Sequence, residues 1–303
     1  MLTPYHDRFA YSPITERPDY DWPGGKRLAF HICLNIEHFR FGEGMGHVST
    51  EPGPVPDVRH YAWRDYGLRV GVWRILDLLD RLGLPACHLM NTAVYDYAPQ
   101  IPERLRARGD EIVGHGRTNS ERQADYDEAG EAALIREATE VIRRHEGTPP
   151  TGWMGPWISE SRVTPDLLKE AGYRYVMDWP ADDQPFWMQT RAGPILSVPY
   201  HSEINDSPAM LNRRHTAEQF YRMAVDQFDE LLAFSAERPM VMALPLHTFI
   251  MGTPFRFKYL RMILEHVVNH RHADRVWFTR PGAIAEYCAS LPKGIVPGSE
   301  MLD

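Results

Sequence analysis

The sequence predicts a single α/β domain built as a distorted (β/α) barrel, and three observations carry that prediction. Apolar runs with a β-branched bias alternate with helical stripes from Arg27 to the C-terminus, the connections are short, and polar residues gather where the apolar runs end. Such alternation implies parallel strands with right-handed crossovers, which close as a barrel or wind doubly. A dinucleotide fold would carry GxGxxG after its first strand; Asn35-Ile36-Glu37-His38-Phe39 stands there instead, which selects the barrel.

Residues 1–26, rich in Pro, Tyr and Asp and without a period, read as an extended N-terminal arm on a barrel domain spanning 27–303. The run 28–36 is nearly continuous apolar, as a strand buried on both faces must be. Gly42, Gly44, Gly46, Pro52, Gly53, Pro54 and Pro56 then punctuate a stretch from Phe39 to Tyr66 that reads as a long functional loop. Val70, Trp73, Ile75, Leu76, Leu79 and Leu82 form a helical stripe ending at Gly83, followed by a strand over 86–90. The beat continues with a helix 102–108, strand 111–114, helix 128–145, strand 153–157, helix 164–171, and strands 173–177 and 195–198. It ends with a helix 216–234, strand 240–246, helix 255–270, strand 276–278 and helix 281–290.

The chain has 303 residues and a net charge of -8, and α/β barrels reach this length as one domain. With 33 basic against 41 acidic residues and no basic run interleaved with aromatics, nucleic acid is not an expected partner. No stretch stays apolar long enough to cross a bilayer, and Met1 to Tyr20 lacks an apolar leader core. Cys33, Cys87 and Cys288 lie in apolar settings without CxxC spacing, which fits buried thiols in a reducing compartment. The expectation is a cytoplasmic protein acting on a small molecule, as a homo-oligomer.

A barrel places its chemistry at the carboxyl ends of the strands. There the sequence offers Asn35, Glu37 and His38, then His115 and Asn119, Trp153 to Trp157, Asp178 to Asp183, Tyr200 to Asp206, and His247. Glu37 and His247 directly follow buried strands, where a partly dry setting can tune a general base and acid. Glu37, His38, His115 and Asn119 are the candidate ligands should a divalent metal, zinc above all, be held. No GxSxG, HExxH or Walker loop is present. His266, His270 and His272 alternate with charges near a helix end and read as a solvated face.

The strand-end series resembles the polysaccharide deacetylase (NodB-like) superfamily from about Arg27 to Leu291, and within it the branch containing the cofactor-free allantoinases. Asn35-Ile36-Glu37 stands where that superfamily has its Asp-containing motif, and Gly114-His115-Gly116-Arg117-Thr118-Asn119 where it has His-x-x-x-His. Thr151 to Trp157, Asp182-Asp183-Gln184-Pro185, and Leu246-His247 with the downstream Gly252-Thr253-Pro254 resemble its later motifs. Two departures matter: Asn119 replaces the second His, and the acidic position is filled by Glu37, or by His38 if the alignment slips by one. Metal dependence is therefore not inherited, and the expectation is no cofactor or a weakly bound divalent metal.

The resemblance implies hydrolysis of a non-peptide C–N bond in a small polar molecule such as a cyclic ureide. Glu37, His115, His247 and Asn35 would form the catalytic set, and Trp153, Trp157, Asp182, Asp183 and Glu203 would contact substrate. The alternatives are a metal-dependent N-deacetylase of amino sugars and a catalytically silent carbohydrate-binding protein.

Overall fold

The computed structural model describes residues 6–43 and 55–302. Residues 1–5 of the arm, and Gly44, Gly46, Pro52, Gly53 and Pro54 of the punctuated stretch, lie outside the described residues.

Among the described residues, nine strands make one curled sheet. They are β1 (Leu28–Ile36), β2 (Cys87–Met90), β3 (Glu111–Gly114), β4 (Gly152–Trp153), β5 (Tyr175–Val176), β6 (Phe186–Met188), β7 (Ile195–Ser197), β8 (Met240–His247) and β9 (Val276–Thr279). Spatially they run β6-β7-β5-β4-β3-β2-β1-β8, with β9 against the first half of β1. All pairs are parallel except β6 with β7. The antiparallel β6 breaks the expected strand–helix beat: Phe186-Trp187-Met188 is too short to carry a period and returns as a hairpin edge.

The main helices are α1 (Val58–Tyr66), α2 (Val72–Leu82), α3 (Val94–Tyr97), α4 (Gln100–Arg108), α5 (Glu128–Glu146), α6 (Thr164–Glu170), α7 (Ala217–Phe234), α8 (Thr248–Met251), α9 (Pro254–Asn269) and α10 (Pro281–Ser290). The predicted stripe falls on α2 from Trp73 onward, with Val70 in the π turn before it, and Gly83 ends it with φ 64°. Along β1, side chains alternate as strand geometry requires. Leu28, Phe30, Ile32, Leu34 and Ile36 join the core under the helices, while Ala29 and Cys33 join the barrel interior with Leu89, Val113, Tyr175, Leu196 and Val241.

Among the described residues, strand pairing does not close the ring. The edge of β8 away from β1 is instead satisfied piece by piece. Val241 N–H donates to the Asp183 carbonyl at 2.9 Å, Ala243 N–H to His201 Nδ1 at 3.1 Å, and His247 N–H to Asp206 Oδ2 at 2.8 Å. Pro245, between them, has no N–H to satisfy, which is the setting in which a strand tolerates proline.

The stretch read as a loop contains α1, continued by a π turn at Gly67–Gly71 into α2. Its buried side chains are His60 and Arg64, so hydrophobic periodicity gives no signal for it. This helix passes very close to the segment after His247. A Cβ on Gly67 would lie 2.5 Å from Thr248 Oγ1, and one on Gly252 2.4 Å from Gly71 Cα. At Gly71 the clash would be 2.1 Å, against the Thr248 carbonyl, which is backbone and cannot rotate away. Gly71→Ala is expected to cost at least about 1–3 kcal/mol, as overpacking does, and to lower the melting temperature and turnover together. A wild-type melting curve would refute the close crossing.

Described arm residues lie against the barrel. Arg8 pairs with Asp166 at 2.8 Å, Arg17 with Asp182 at 2.6 Å, and buried Trp22 donates its indole N–H to the Met240 carbonyl at 3.0 Å.

Candidate active site

Asn35, Glu37, Phe39, Arg64, His115, Asn119, Met154, Trp157, Tyr200, Asn205 and His247 line a cavity of about 160 Å³ at the carboxyl ends of the strands. Each polar member owes its orientation to a backbone group or a buried partner, and following those bonds shows what each atom can do.

His115 follows β3. Its Nδ1–H donates to the Met154 carbonyl at 2.6 Å, and a carbonyl only accepts, so Nε2 bears the lone pair in the neutral ring. That Nε2 is buried without a hydrogen-bond partner and lies 3.8 Å from Glu37 Oε1.

His247, the last residue of β8, sits between two carboxylates. Its Nδ1 meets Asp206 Oδ1 at 2.6 Å, and its Nε2 lies 3.4 Å from Glu37 Oε1. Burial disfavours the imidazolium, but Glu37 and Asp206 outweigh it and push the pKa up to about 10. The ordinary value of about 6.5 expected from sequence does not apply, because two carboxylates face the ring. Burial likewise opposes ionisation of Glu37, yet His247 and then His115 hold its carboxyl well below the usual range. At neutral pH Glu37 is therefore a carboxylate and His247 an imidazolium.

Asn91, at the end of β2, fixes another corner. Its Oδ1 accepts the His38 N–H at 2.9 Å, while its Nδ2 donates to the His115 carbonyl at 2.5 Å and to Asn119 Oδ1 at 3.0 Å. With Oδ1 so occupied, Asn119 has its Nδ2, a donor, left for the cavity. On β1, Asn35 spends Nδ2 on the Leu246 carbonyl at 3.1 Å and the Tyr200 hydroxyl at 3.2 Å, keeping Oδ1 as an acceptor. Arg64 of α1 stacks over Phe39 at 4.0 Å. Burial draws its pKa down to about 10 against the pull of Glu37 and Asp57, which leaves it a cation at neutral pH.

Trp157 holds φ 68° and Ile158 φ 52°, two successive non-glycine residues in the left-handed region. The backbone turn directs Trp157 over the mouth, where its indole N–H donates to the Asn119 carbonyl at 3.1 Å.

Thus Asn35, Glu37, His115, Asn119, Trp157 and His247 converge on one cavity, and other residues picked from sequence do not. Trp153 is fully buried in the core, donating to Gln123 at 2.9 Å and packed on Tyr173. Asp182 anchors Arg17, and Asp183 gives its carbonyl to the β8 edge. Glu203 is an exposed partner of Arg213 at 2.9 Å. His38 turns its ring to Tyr97, 4.6 Å away, outside the cavity. These are corrections to the expected contacts, and their common cause is that a strand end supplies both inward and outward positions, which sequence order alone does not separate. Asp206 stands in the sequence only as the last member of the polar end Tyr200 to Asp206, with no role of its own, and Arg64 is not among the candidates. A buried histidine at a strand end calls for a carboxylate on its second nitrogen, and that signal points to Asp206; no apolar pattern marks Arg64.

The mouth does not fit a catalytic zinc, which takes three protein ligands and a water. Glu37 Oε1 and His115 Nε2 converge, but Asn119 offers a donor, His38 faces away, and His247 Nε2 carries a proton. Among the described residues, the sets of three or more His, Cys, Asp or Glu with ligand atoms mutually within 4.8 Å are His31–Cys33–Cys87 and Asp229–His266–His270, neither at the mouth.

Residues 61–176 match the polysaccharide deacetylase family model. The structure is similar to that of PuuE allantoinase, with TM-score 0.82 and 27% identity over 96% of this chain and 99% of that one. It is also similar to a Pseudomonas aeruginosa protein described as a polysaccharide deacetylase, with TM-score 0.78 and 29% identity over 89% and 93% of the two chains. A Schizosaccharomyces pombe protein given the same description is 26% identical over 91% of this chain and 94% of its own length. No helix among the described residues is long and apolar enough to cross a membrane. Fold and relatives agree in placing residues 61–176 in a polysaccharide deacetylase (NodB-like) domain, and these similarities indicate a hydrolase of carbon–nitrogen bonds other than peptide bonds.

Proposed function

We propose that the protein hydrolyses an amide C–N bond in a small polar molecule of the cyclic ureide type. The observation that carries this reading is the bare, buried Nε2 of His115 facing Glu37 across 3.8 Å. A water between them donates one hydrogen to each, which turns its lone pairs toward a substrate carbonyl. Glu37 takes a proton as the water attacks. Arg64 and Asn119 Nδ2 supply positive charge and a donor for the developing oxyanion. Imidazolium His247 protonates the departing nitrogen, and the proton on Glu37 then returns to His247 across 3.4 Å, so each cycle closes without net gain or loss.

The small-molecule substrate is supported by size. A cavity of about 160 Å³ lies below the 300–1,000 Å³ typical of drug-sized ligand sites. Phe39, Met154, Trp157 and Phe249 wall it with apolar surface, while donors and acceptors occur in pairs suited to a ring carrying both amide N–H and C=O. The similarity to an allantoinase over nearly the whole chain points the same way.

The test is turnover of a panel of cyclic ureides and N-acetylated amino sugars, with and without a chelator. Ring opening of a ureide, unchanged by chelator, is expected. Release of acetate from an amino sugar that stops with chelator and resumes with zinc would overturn both the substrate class and the metal-free water activation.

A further inference from the structure

Below the mouth, the interior face of β1 carries His31 and Cys33, and Cys87 is the register partner of Cys33 on β2. All three side chains have no accessible surface. Cys87 Sγ lies 3.4 Å from Cys33 Sγ, which lies 3.2 Å from His31 Nδ1. On its far side the imidazole places Nε2 3.1 Å from the Pro199 carbonyl. Since that carbonyl only accepts, Nε2 carries the hydrogen and Nδ1 turns its lone pair toward the two sulfurs. A histidine whose second nitrogen is committed to a backbone carbonyl is oriented as metal-ligating histidines are.

We propose that His31 Nδ1, Cys33 Sγ and Cys87 Sγ form an interior site for a thiophilic divalent cation of the zinc class, separate from the catalytic mouth. Cys33 precedes Glu37 by four residues along an extended chain, which puts the two backbones about 13 Å apart. Two sulfurs and an imidazole nitrogen are the donors that zinc prefers. Charge decides between cations. Binding forms two metal–sulfur bonds and one metal–nitrogen bond and releases both thiol protons to solvent. Two thiolates then neutralise a divalent ion, whereas a cuprous ion would leave a net negative charge in an apolar interior. With zinc–sulfur bonds of about 2.3 Å, the donors need to open by only a few tenths of an ångström.

The second cluster, Asp229–His266–His270, lacks this preparation. His270 Nδ1 accepts the His272 N–H at 3.2 Å, so its proton sits on Nε2, on the side of Asp229. With its lone pair spent on that backbone N–H, His270 turns a hydrogen rather than a ligand atom toward Asp229.

Because the interior donors are enclosed, the ion enters as the barrel forms and resists a chelator afterwards. Zinc found in the purified protein would therefore say nothing about the mouth unless located. The experiment measures zinc by elemental analysis in wild type, Glu37→Gln, Cys33→Ser and Cys87→Ala, each expressed with added zinc. It also records the near-ultraviolet spectrum of wild type expressed with Co²⁺ instead. One zinc per chain is expected in wild type and Glu37→Gln, with a loss of more than about tenfold in the two cysteine variants. Strong thiolate-to-cobalt absorption is expected in the wild-type Co²⁺ protein, a readout that needs no variant to fold. Zinc retained without the cysteines but lost in Glu37→Gln, a cobalt protein without thiolate absorption, or a metal-free chain with Cys33 and Cys87 joined as a disulfide would each overturn the site.

Discussion

Glu37→Gln is expected to keep the fold and to lower turnover by about 10²- to 10⁴-fold. The amide preserves size and can still accept from the water, but it cannot take its proton. It also removes one of the two carboxylates that keep His247 charged, so base and acid are damaged together. Circular dichroism should match wild type, because His247 keeps Asp206 as a partner at 2.6 Å. Steady-state hydrolysis of the best substrate decides the matter. A loss smaller than tenfold would remove Glu37 from the role of base.

Asp206→Asn is the second large effect, and it is read from pH. The wild-type rate should hold through neutrality and fall only as His247 loses its proton near pH 10. Without the Asp206 charge that alkaline limb should move toward neutrality, while KM changes little because Asp206 is buried outside the cavity lining. Stability carries the same signature. A histidine whose pKa is raised from about 6.5 unfolded to about 10 folded contributes its full stabilisation below pH 6.5 and loses it as pH rises through 10. The gap in melting temperature between wild type and variant should therefore be widest in mild acid and narrow toward pH 10. An alkaline limb that stays in place would mean Asp206 does not set the acid.

The legible parts of this molecule were those with a strong local signal. The alternation of β1 through α2, the glycine stop at Gly83, and the polar ends of β1, β3 and β8 follow from apolar period and strand direction. What escaped was organised by polar packing. Helix α1 buries His60 and Arg64 rather than a leucine stripe, so its sequence carries a loop's signature and nothing in its pattern marks the arginine. Within Trp153 to Trp157, two tryptophans looked equivalent; the left-handed turn at Trp157 sends one to the mouth and leaves the other in the core. The motif glycine, Gly252, marks a close crossing against Gly71.

The incomplete ring has a dynamic consequence. In a barrel closed by strand pairing, opening any one seam breaks a ladder of similar bonds; here the seam along β8 hangs on three unlike acceptors, a carbonyl, an imidazole and a carboxylate. The carboxylate is Asp206, which also grips the ring of His247. Amide hydrogen exchange at Val241, Ala243 and His247 should thus report three separate local openings rather than one. The opening at His247 unfastens the proposed acid and the wall of the barrel in a single event, so breathing of the seam and release of the His247 ring occur at one rate.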